Sequence, residues 1–245
     1  MCKKEPKIKI MVSYHKPSAL FKDDMFIPIH AGRVIAKESS RNGTINNEDL
    51  KWLEEKMIGD DTGDNISHLN RSFCEMTALY WAWKNYGKLD NPDYIGLIHY
   101  KRHFWLSNNE IIESLKKNAF IALRKENASI EKHDFRYYKN ELAVINENYP
   151  NLHLEFKTFT KTRLMHFKNI FIMNKENFFD YCETVFDILF KAKIQNEKDD
   201  LKINPLGHYG YASEYLSSFY FSYLQSQRNQ KILEVPMVCN EFKIN

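Results

Sequence analysis

The sequence predicts an α/β fold with helical additions in its C-terminal half. Over the first 125 residues, short apolar runs typical of buried strands alternate with stripes of helical spacing. Longer helical stripes predominate from residue 126 onward. The chain has only 8 glycines and 7 prolines, and it contains no internal repeat and no obvious linker. We therefore expect a single domain over residues 1–245.

Each element is predicted from its own pattern. The run at 8–14 is apolar enough for a buried first strand, which Pro17 ends. A helix at 47–57 is capped by Asn46 or Asn47 and has Gly59 just past its end. The other predictions are, in order, an irregular segment at 19–43, a helix over 67–87, a strand at 94–98, a short helix at 110–117, a strand at 119–123, a helix at 135–149, a strand at 167–173, a helix carrying 178–188, a helix at 211–224 and a strand at 232–238.

The strongest helical signal lies in the segment 67–87. Its apolar side chains recur at spacings of four and three residues, which indicates one stripe down one face of a continuous helix. The stripe consists of Leu69, Phe73, Met76, Tyr80 and Trp83. We expect this stripe to face the core.

Composition and charge exclude several classes of protein. Apolar residues make up 43% of the chain and charged residues 27%, as in ordinary soluble globular proteins. The 35 basic and 32 acidic residues leave a net charge of only +3, so a nucleic-acid partner is not expected. The four cysteines lack zinc-ligand spacing, and no run approaches the roughly 20 apolar residues of a membrane span. The expected location is cytoplasmic.

A cluster of cations and imidazoles follows the strand predicted at 94–98. Ligands bind beyond the carboxyl ends of strands in open α/β sheets. Arg102 can bind a diphosphate bidentately, Lys101 adds a point charge, and His99 and His103 can donate hydrogen bonds or ligate a metal. The alternative is a solvated basic turn.

The segment 60–65 is the densest acidic turn of the chain. Asp61, Asp64 and Asn65 could bind a divalent cation or sugar hydroxyls, although the spacing does not match an EF-hand. The alternative is an ordinary Asp/Asn/Gly turn with negative charge near a helix N-terminus.

Glu214 is a carboxylate among apolar and aromatic neighbours. Such surroundings raise a carboxyl pKa and suit a general base, whereas a Glu on the surface of an amphipathic helix is the alternative. His166 and Asn169 are weaker candidates, and a structural role is favoured for His166. The same holds for His15 and His30.

Seven segments, taken together and in this order, resemble a known family. They are YHKP (14–17), IPIHAG (27–32), GDDTGDNIS (59–67), CEMTALYWAWKN (74–85), GLIHYKRHF (96–104), HFKNIFIM (166–173) and GYASE (210–214). The chain looks like a member of the domain-of-unknown-function glycosyltransferase family of bacterial capsule, O-antigen and exopolysaccharide gene clusters. It departs from that family's usual pattern at Lys101 and His103, at Tyr215, and by an inserted Lys168.

The resemblance implies a GT-A-like nucleotide-sugar transferase fold, in which helices flank a mixed, mainly parallel sheet. Residues 1–125 would be mainly the nucleotide-sugar half and residues 126–245 mainly the helical, acceptor-side half. Such folds usually hold a metal with an Asp-x-Asp motif, and here the equivalent strand delivers His99 to His103. Two mechanisms stay open: neutralisation of the diphosphate by cations alone, or Mn²⁺ or Mg²⁺ held by His99 with Asp61 or Asp64, which we favour slightly.

The implied activity is transfer of a hexosyl residue, galactose-type, from a UDP-sugar to a lipid-linked oligosaccharide. Inversion is the economical stereochemistry, with Glu214 as base and His99 and Arg102 as further catalytic residues. Contact with the inner face of the membrane would follow from a lipid-linked acceptor. The donor side would comprise His15, Lys16, His30, Asp61, Asp64, Asn65, Lys101 and His103, and the acceptor side His166, Asn169 and Tyr211.

Two other functions remain open at this stage. One is a non-catalytic sugar- or phosphate-binding module of an assembly machinery. The other is a metal phosphohydrolase that would use His99, His103, His133 and Asp134, provided that the last two lie close to His99.

Overall fold

The structure is a computed structural model that describes residues 5–39, 44–128, 138–200 and 206–239. Its strands are β1 (Ile8–Tyr14), β2 (Phe26–His30), β3 (Ile58–Gly59), β4 (Tyr94–His99), β5 (Arg102–Phe104), β6 (Phe120–Leu123), β7 (Glu126–Asn127), β8 (Leu164–Met165), β9 (Phe171–Asn174), β10 (Ile232–Val235) and β11 (Met237–Cys239).

The described α-helices are α1 (Asn47–Lys56), α2 (Asn70–Phe73), α3 (Met76–Lys84), α4 (Asn108–Leu115), α5 (Lys139–Asn148), α6 (Pro150–Thr162), α7 (Lys175–Lys198) and α8 (His208–Ser226). Short 3₁₀ helices lie at Arg33–Ile35, Ser67–Leu69 and Tyr86–Leu89.

The main sheet has the order β10-β6-β9-β4-β1-β2-β3, and a β5–β11 ribbon continues from β4. The pairs β4–β1, β1–β2, β2–β3 and β10–β6 are parallel, whereas β9 runs antiparallel between β6 and β4. The predicted α/β class with a mixed, mainly parallel sheet is confirmed. The second half of the chain supplies β9 in the interior of the sheet.

Apolar cores cover both faces of this sheet. Because side chains alternate along a strand, Met11 of β1 enters one core while Ile10 and Val12 enter the other. The larger core is closed by α3, α7 and α8, and the smaller one by α1 and α4. In the middle of the sheet, Gly96 lets the β9 backbone approach, since a Cβ there would lie 2.3 Å from the Phe171 carbonyl oxygen.

The prediction of one continuous helix over 67–87 is wrong. The helix breaks at Cys74, where φ is 51°, and α3 starts two residues later. The Asn70 side chain donates to the Cys74 carbonyl oxygen at 2.7 Å, which satisfies a backbone group that a continuous helix would have used. Phe73 and Met76 remain fully buried on either side of the break. The apolar stripe was therefore a correct indicator of the core, but it did not reveal the break.

Candidate functional site

The carboxyl ends of three parallel strands meet at one edge of the sheet. β1, β2 and β4 run side by side, so the residues at or just after their ends, His15, His30 and His99, lie on the same edge. They line a cavity of about 450 Å³, which α2 and α8 close from the opposite side. This volume suits a small-molecule ligand, and the location is where open α/β sheets bind theirs.

A tight hairpin carries the cations into this cavity. His99 of β4 pairs with Arg102 of β5, so only Tyr100 and Lys101 form the turn. The Tyr100 ring stacks on Tyr14 with 5.2 Å between ring centroids, which fixes the turn against β1. Lys101 and Arg102 therefore line the cavity from a rigid support, half-buried rather than extended into solvent.

His99 forms the floor between the hairpin and the helices. Its Nε2 lies 2.9 Å from the Lys168 carbonyl oxygen and 3.7 Å from Glu75 Oε1. Burial lowers the pKa of His99 to about 4, and the nearby Arg102 opposes protonation as well. His99 is therefore neutral at pH 7, and its Nε2–H donates to the Lys168 carbonyl.

Glu214 faces this floor from the second turn of α8. The side chain is buried, and burial raises its pKa above the usual value for a carboxyl group. The charge of Glu75 raises that pKa further, whereas the Lys168 ammonium and its backbone N–H, which donates to the carboxylate, lower it. A carboxyl with a raised pKa inside a ligand-sized cavity has the properties of a general base.

Glu75 is a second buried carboxylate in the cavity, and the sequence analysis missed it. Its Oε1 accepts a hydrogen bond from Asn169 Nδ2 at 2.7 Å, and burial raises its pKa. Glu75 sits at the break between α2 and α3, which turns it toward the cavity. The one available signal was a charged residue within an otherwise apolar stretch, 74–83.

Two histidines complete the strand side. His30 is 2% exposed, burial lowers its pKa to about 4, and its Nδ1 is buried without a hydrogen-bond partner among the described residues. The His15 ring packs edge-on against Tyr100 with 5.3 Å between ring centroids.

The acidic turn does not contribute to the cavity. Asp60 is fully buried and accepts bonds from the Gly32 N–H, the Ser67 hydroxyl and the Thr77 hydroxyl, at 2.5–2.7 Å. It therefore anchors the loop after β2 to the helix that follows the turn. Each bond of this charge-assisted kind contributes about 1.5–3 kcal/mol.

The predicted metal ligands are likewise not brought together. Asp61, Asp64 and Asn65 do not line the cavity that His99 lines. The Asp64 carboxylate accepts from the Tyr80 hydroxyl at 3.3 Å, and the Asn65 amide donates to the Gly63 carbonyl at 2.9 Å. Within the described ranges, no group of three or more His, Cys, Asp and Glu side chains is arranged to hold a metal ion.

Other predicted residues lie outside the cavity as well. Lys16 is exposed and is not part of its wall. His103 points to the other side of the hairpin, where its ring packs 5.2 Å from that of Phe21. His133 and Asp134, which the hydrolase hypothesis requires, lie outside the described residues.

The three predicted acceptor-side residues have different surroundings. Tyr211 lines the cavity and is 47% exposed. His166 is buried at the carboxyl end of β6, where its Nδ1 lies 2.6 Å from the Leu123 carbonyl oxygen, and it does not line the cavity. Asn169 is buried beneath Glu75 and supports it, instead of reaching the cavity.

Comparisons with known proteins agree with this architecture. Residues 9–227 match the family described as "Domain of unknown function (DUF4422)", and the chain belongs to that family. It is similar to the solved apo structure of WbbM, a bifunctional glycosyltransferase, with a TM-score of 0.73 and 26% identity over 96% of this chain and 46% of WbbM. The chain thus spans about half the length of WbbM. The predicted resemblance to the fold of a glycosyltransferase is confirmed.

The mannosyltransferase Ktr4p of S. cerevisiae aligns with a TM-score of 0.31 and 9% identity over 74% of this chain and 61% of Ktr4p, too weak a similarity to support an argument. No curated protein sequence matches the chain. Among the described helices, none has the length and apolar character needed to cross a membrane.

Proposed function

We propose that this chain is a glycosyltransferase that moves a galactose-type hexosyl residue from a UDP-sugar to a hydroxyl of a lipid-linked oligosaccharide. One observation carries the proposal: the cationic turn at Lys101 and Arg102 and the buried Glu214 carboxylate line the same cavity at the carboxyl ends of β1, β2 and β4. The similarity to WbbM supports the transferase class.

The hairpin wall suits the leaving diphosphate. When the bond between the anomeric carbon and the diphosphate breaks, negative charge develops on the departing oxygen. Arg102 can bind phosphate oxygens through two parallel N–H groups, and Lys101 adds a second positive charge. Both are held at the end of a short hairpin, so little reorganisation is needed as the charge develops.

Glu214 would take the proton of the attacking hydroxyl. The acceptor oxygen forms a bond to the anomeric carbon, its proton passes to the Glu214 carboxylate, and the electron pair of the broken bond leaves with UDP. A single displacement of this kind inverts the anomeric configuration. The raised pKa of Glu214 makes it a stronger base than a solvated carboxylate.

The proposed reaction uses no divalent metal ion, because the side chains of Asp61 and Asp64 do not lie together with His99. On the donor side, we propose that the neutral imidazoles of His15 and His30 contact the nucleotide. A lipid-linked acceptor would bring the chain to the inner face of a membrane.

The test measures UDP release and sugar transfer with UDP-galactose and UDP-glucose, in the presence of EDTA or of added Mn²⁺. Wild-type protein should turn over the donor, and Glu214→Gln should do so about 10²–10⁴-fold more slowly. Glu155→Gln is a matched control, because Glu155 is also buried and hydrogen-bonded but lies outside the cavity. UDP binding without any turnover would favour the binding module, and full activity of Glu214→Gln would remove Glu214 as the base.

A further inference from the structure

Three residues with positive φ lie next to Glu75 in sequence or in space. Cys74 has φ 51°, Lys168 has φ 75° and Asn169 has φ 49°, and none of them is a glycine. Such conformations cost about 1–3 kcal/mol each and persist only where the surrounding structure enforces them. The three residues meet at Glu75 because Cys74 directly precedes it, Asn169 donates to its carboxylate, and the charge of Lys168 acts on it.

Glu75 is held from behind by a chain of buried hydrogen bonds. Asn169 donates to Glu75 Oε1 at 2.7 Å and to the Ser213 hydroxyl at 2.9 Å, and its own carbonyl accepts from the Ser217 hydroxyl at 2.9 Å. The Tyr181 and Ser217 hydroxyl oxygens are 2.7 Å apart, which extends the chain into the core. The carboxylate is thereby fixed in position and orientation, at the cost of backbone strain.

The position of Glu75 within the cavity indicates what it can bind. Glu75 lines the cavity beside His99, and both Lys168 and Arg102 are close enough to lower its pKa against the effect of burial. A general base has to accept a proton during the reaction. The Asn169 amide fixes the orientation of the Glu75 carboxylate, which is therefore better suited to accept a hydrogen bond from a ligand hydroxyl in one defined position. Glu214 accepts from the Lys168 backbone N–H, but it is not tied to the Asn169 side chain that orients Glu75, and it is the better candidate for the base.

We propose that Glu75 binds a hydroxyl group of the transferred sugar and so helps to determine which hexose the site accepts. The inference rests on the proposed function, and it adds a binding residue that neither the family description nor the similarity to WbbM assigns. A fixed carboxylate accepts hydrogen bonds only from hydroxyls in one direction, which distinguishes sugars that differ in one hydroxyl configuration.

The experiment compares the dissociation constants of UDP, UDP-galactose and UDP-glucose by calorimetry for the wild type, Glu75→Gln and Glu75→Ala. In Glu75→Gln, the amide oxygen can still accept from Asn169, while the amide N–H₂ replaces the carboxylate oxygen that faces the sugar. The affinity gain is the ratio of the dissociation constant of UDP to that of the preferred UDP-hexose. We expect this gain to fall about tenfold in the variants, because one hydrogen bond to a charged group is lost. The dissociation constant of UDP itself should be the same as in the wild type.

The outcomes separate this inference from the proposed function. If UDP does not bind the wild type, the proposed function fails and the inference falls with it. If UDP binds but the gain of the UDP-hexose over UDP is the same in both Glu75 variants as in the wild type, only the inference is overturned. Unchanged UDP affinity shows that each variant is folded, and Glu155→Gln should leave all three constants unchanged.

Discussion

The two walls of the cavity have opposite character. The strand wall presents the cations Lys101 and Arg102 beside imidazoles, on a hairpin that is half-buried. The helix wall presents the carboxylates Glu75 and Glu214, both buried deeply enough for their pKa values to rise. Its two cations are balanced locally, since Arg71 is paired with Glu38 and Lys168 lies beside the two carboxylates. The cavity is therefore polarised, and a ligand with an anionic diphosphate at one end and neutral hydroxyls at the other matches it.

The difference between the walls has a physical cause. A cation can sit at the end of a short hairpin and remain partly hydrated, so its charge is retained at little cost. Glu75 and Glu214 lie where packed helices exclude water, and their negative charge is disfavoured there. The strand wall therefore suits permanent charge, whereas the helix wall suits proton transfer and directional hydrogen bonds.

The largest expected effect comes from removing the base on the helix wall. Glu214→Gln keeps the shape of the side chain but cannot take a proton, so kcat should fall about 10²–10⁴-fold. UDP affinity should stay the same, since the diphosphate contacts the other wall. Steady-state kinetics together with calorimetry check this, and a large loss of UDP affinity would contradict the separation of the walls.

Removing Arg102, one of the two cations of the strand wall, should give the next largest effect. Arg102→Gln takes away bidentate binding of the departing diphosphate, and kcat/KM should fall about 10²–10³-fold. In contrast to Glu214→Gln, this variant should also bind UDP more weakly. Arg71→Gln is the control, because Arg71 lines the rim of the cavity in an ion pair with Glu38 at 2.7 Å. Equal losses of UDP affinity in both variants would argue against a specific role for Arg102.

A smaller effect is expected from a substitution that changes the spacing between α8 and the break at Cys74. A Cβ on Gly210 would lie 3.0 Å from the Cβ and Sγ of Cys74, so in Gly210→Ala either α8 or Cys74 at the helix break has to shift by a few tenths of an ångström. We expect a loss of stability of about 1–3 kcal/mol, as in other overpacked sites, with reduced kcat and unchanged UDP affinity. Chemical denaturation and kinetics test this. Wild-type activity in this variant would mean that the spacing of the helix wall is not critical.

The smallest expected effect is a shift in the pH dependence of activity. Activity should rise with pH as Glu214 ionises, because the base must be deprotonated. Glu75 raises the pKa of Glu214 and Lys168 lowers it, so the acidic limb of kcat/KM should move to lower pH in Glu75→Gln and to higher pH in Lys168→Met. Shifts in the same direction, or none, would contradict the assignment of the limb to Glu214.

Periodicity predicted the framework of the fold and only part of the site. β1, β4 and α1 were predicted closely, because apolar runs and a cap residue mark them locally. The strand β2 lies in a segment predicted to be irregular, since Pro28 interrupts its apolar run. The helix α6 was not predicted, and it begins at Pro150, directly after the helix predicted at 135–149.

The missed and misassigned site residues depend on tertiary contacts. Glu75 lies within the segment predicted as one continuous helix, and only the break at Cys74 turns it into the cavity. Asp60 and Asp61 are adjacent in sequence, yet Asp60 is a buried structural anchor and neither lines the cavity. Spacing along the chain cannot distinguish these outcomes, because hydrogen bonds from Ser67 and Thr77 decide them.

A crystal structure with bound UDP tests the polarity of the cavity most directly. We expect the diphosphate to lie within hydrogen-bonding distance of Lys101 and Arg102, with open space between the β-phosphate and Glu214 for a sugar. A diphosphate bound against α8, or UDP bound outside the cavity, would contradict it.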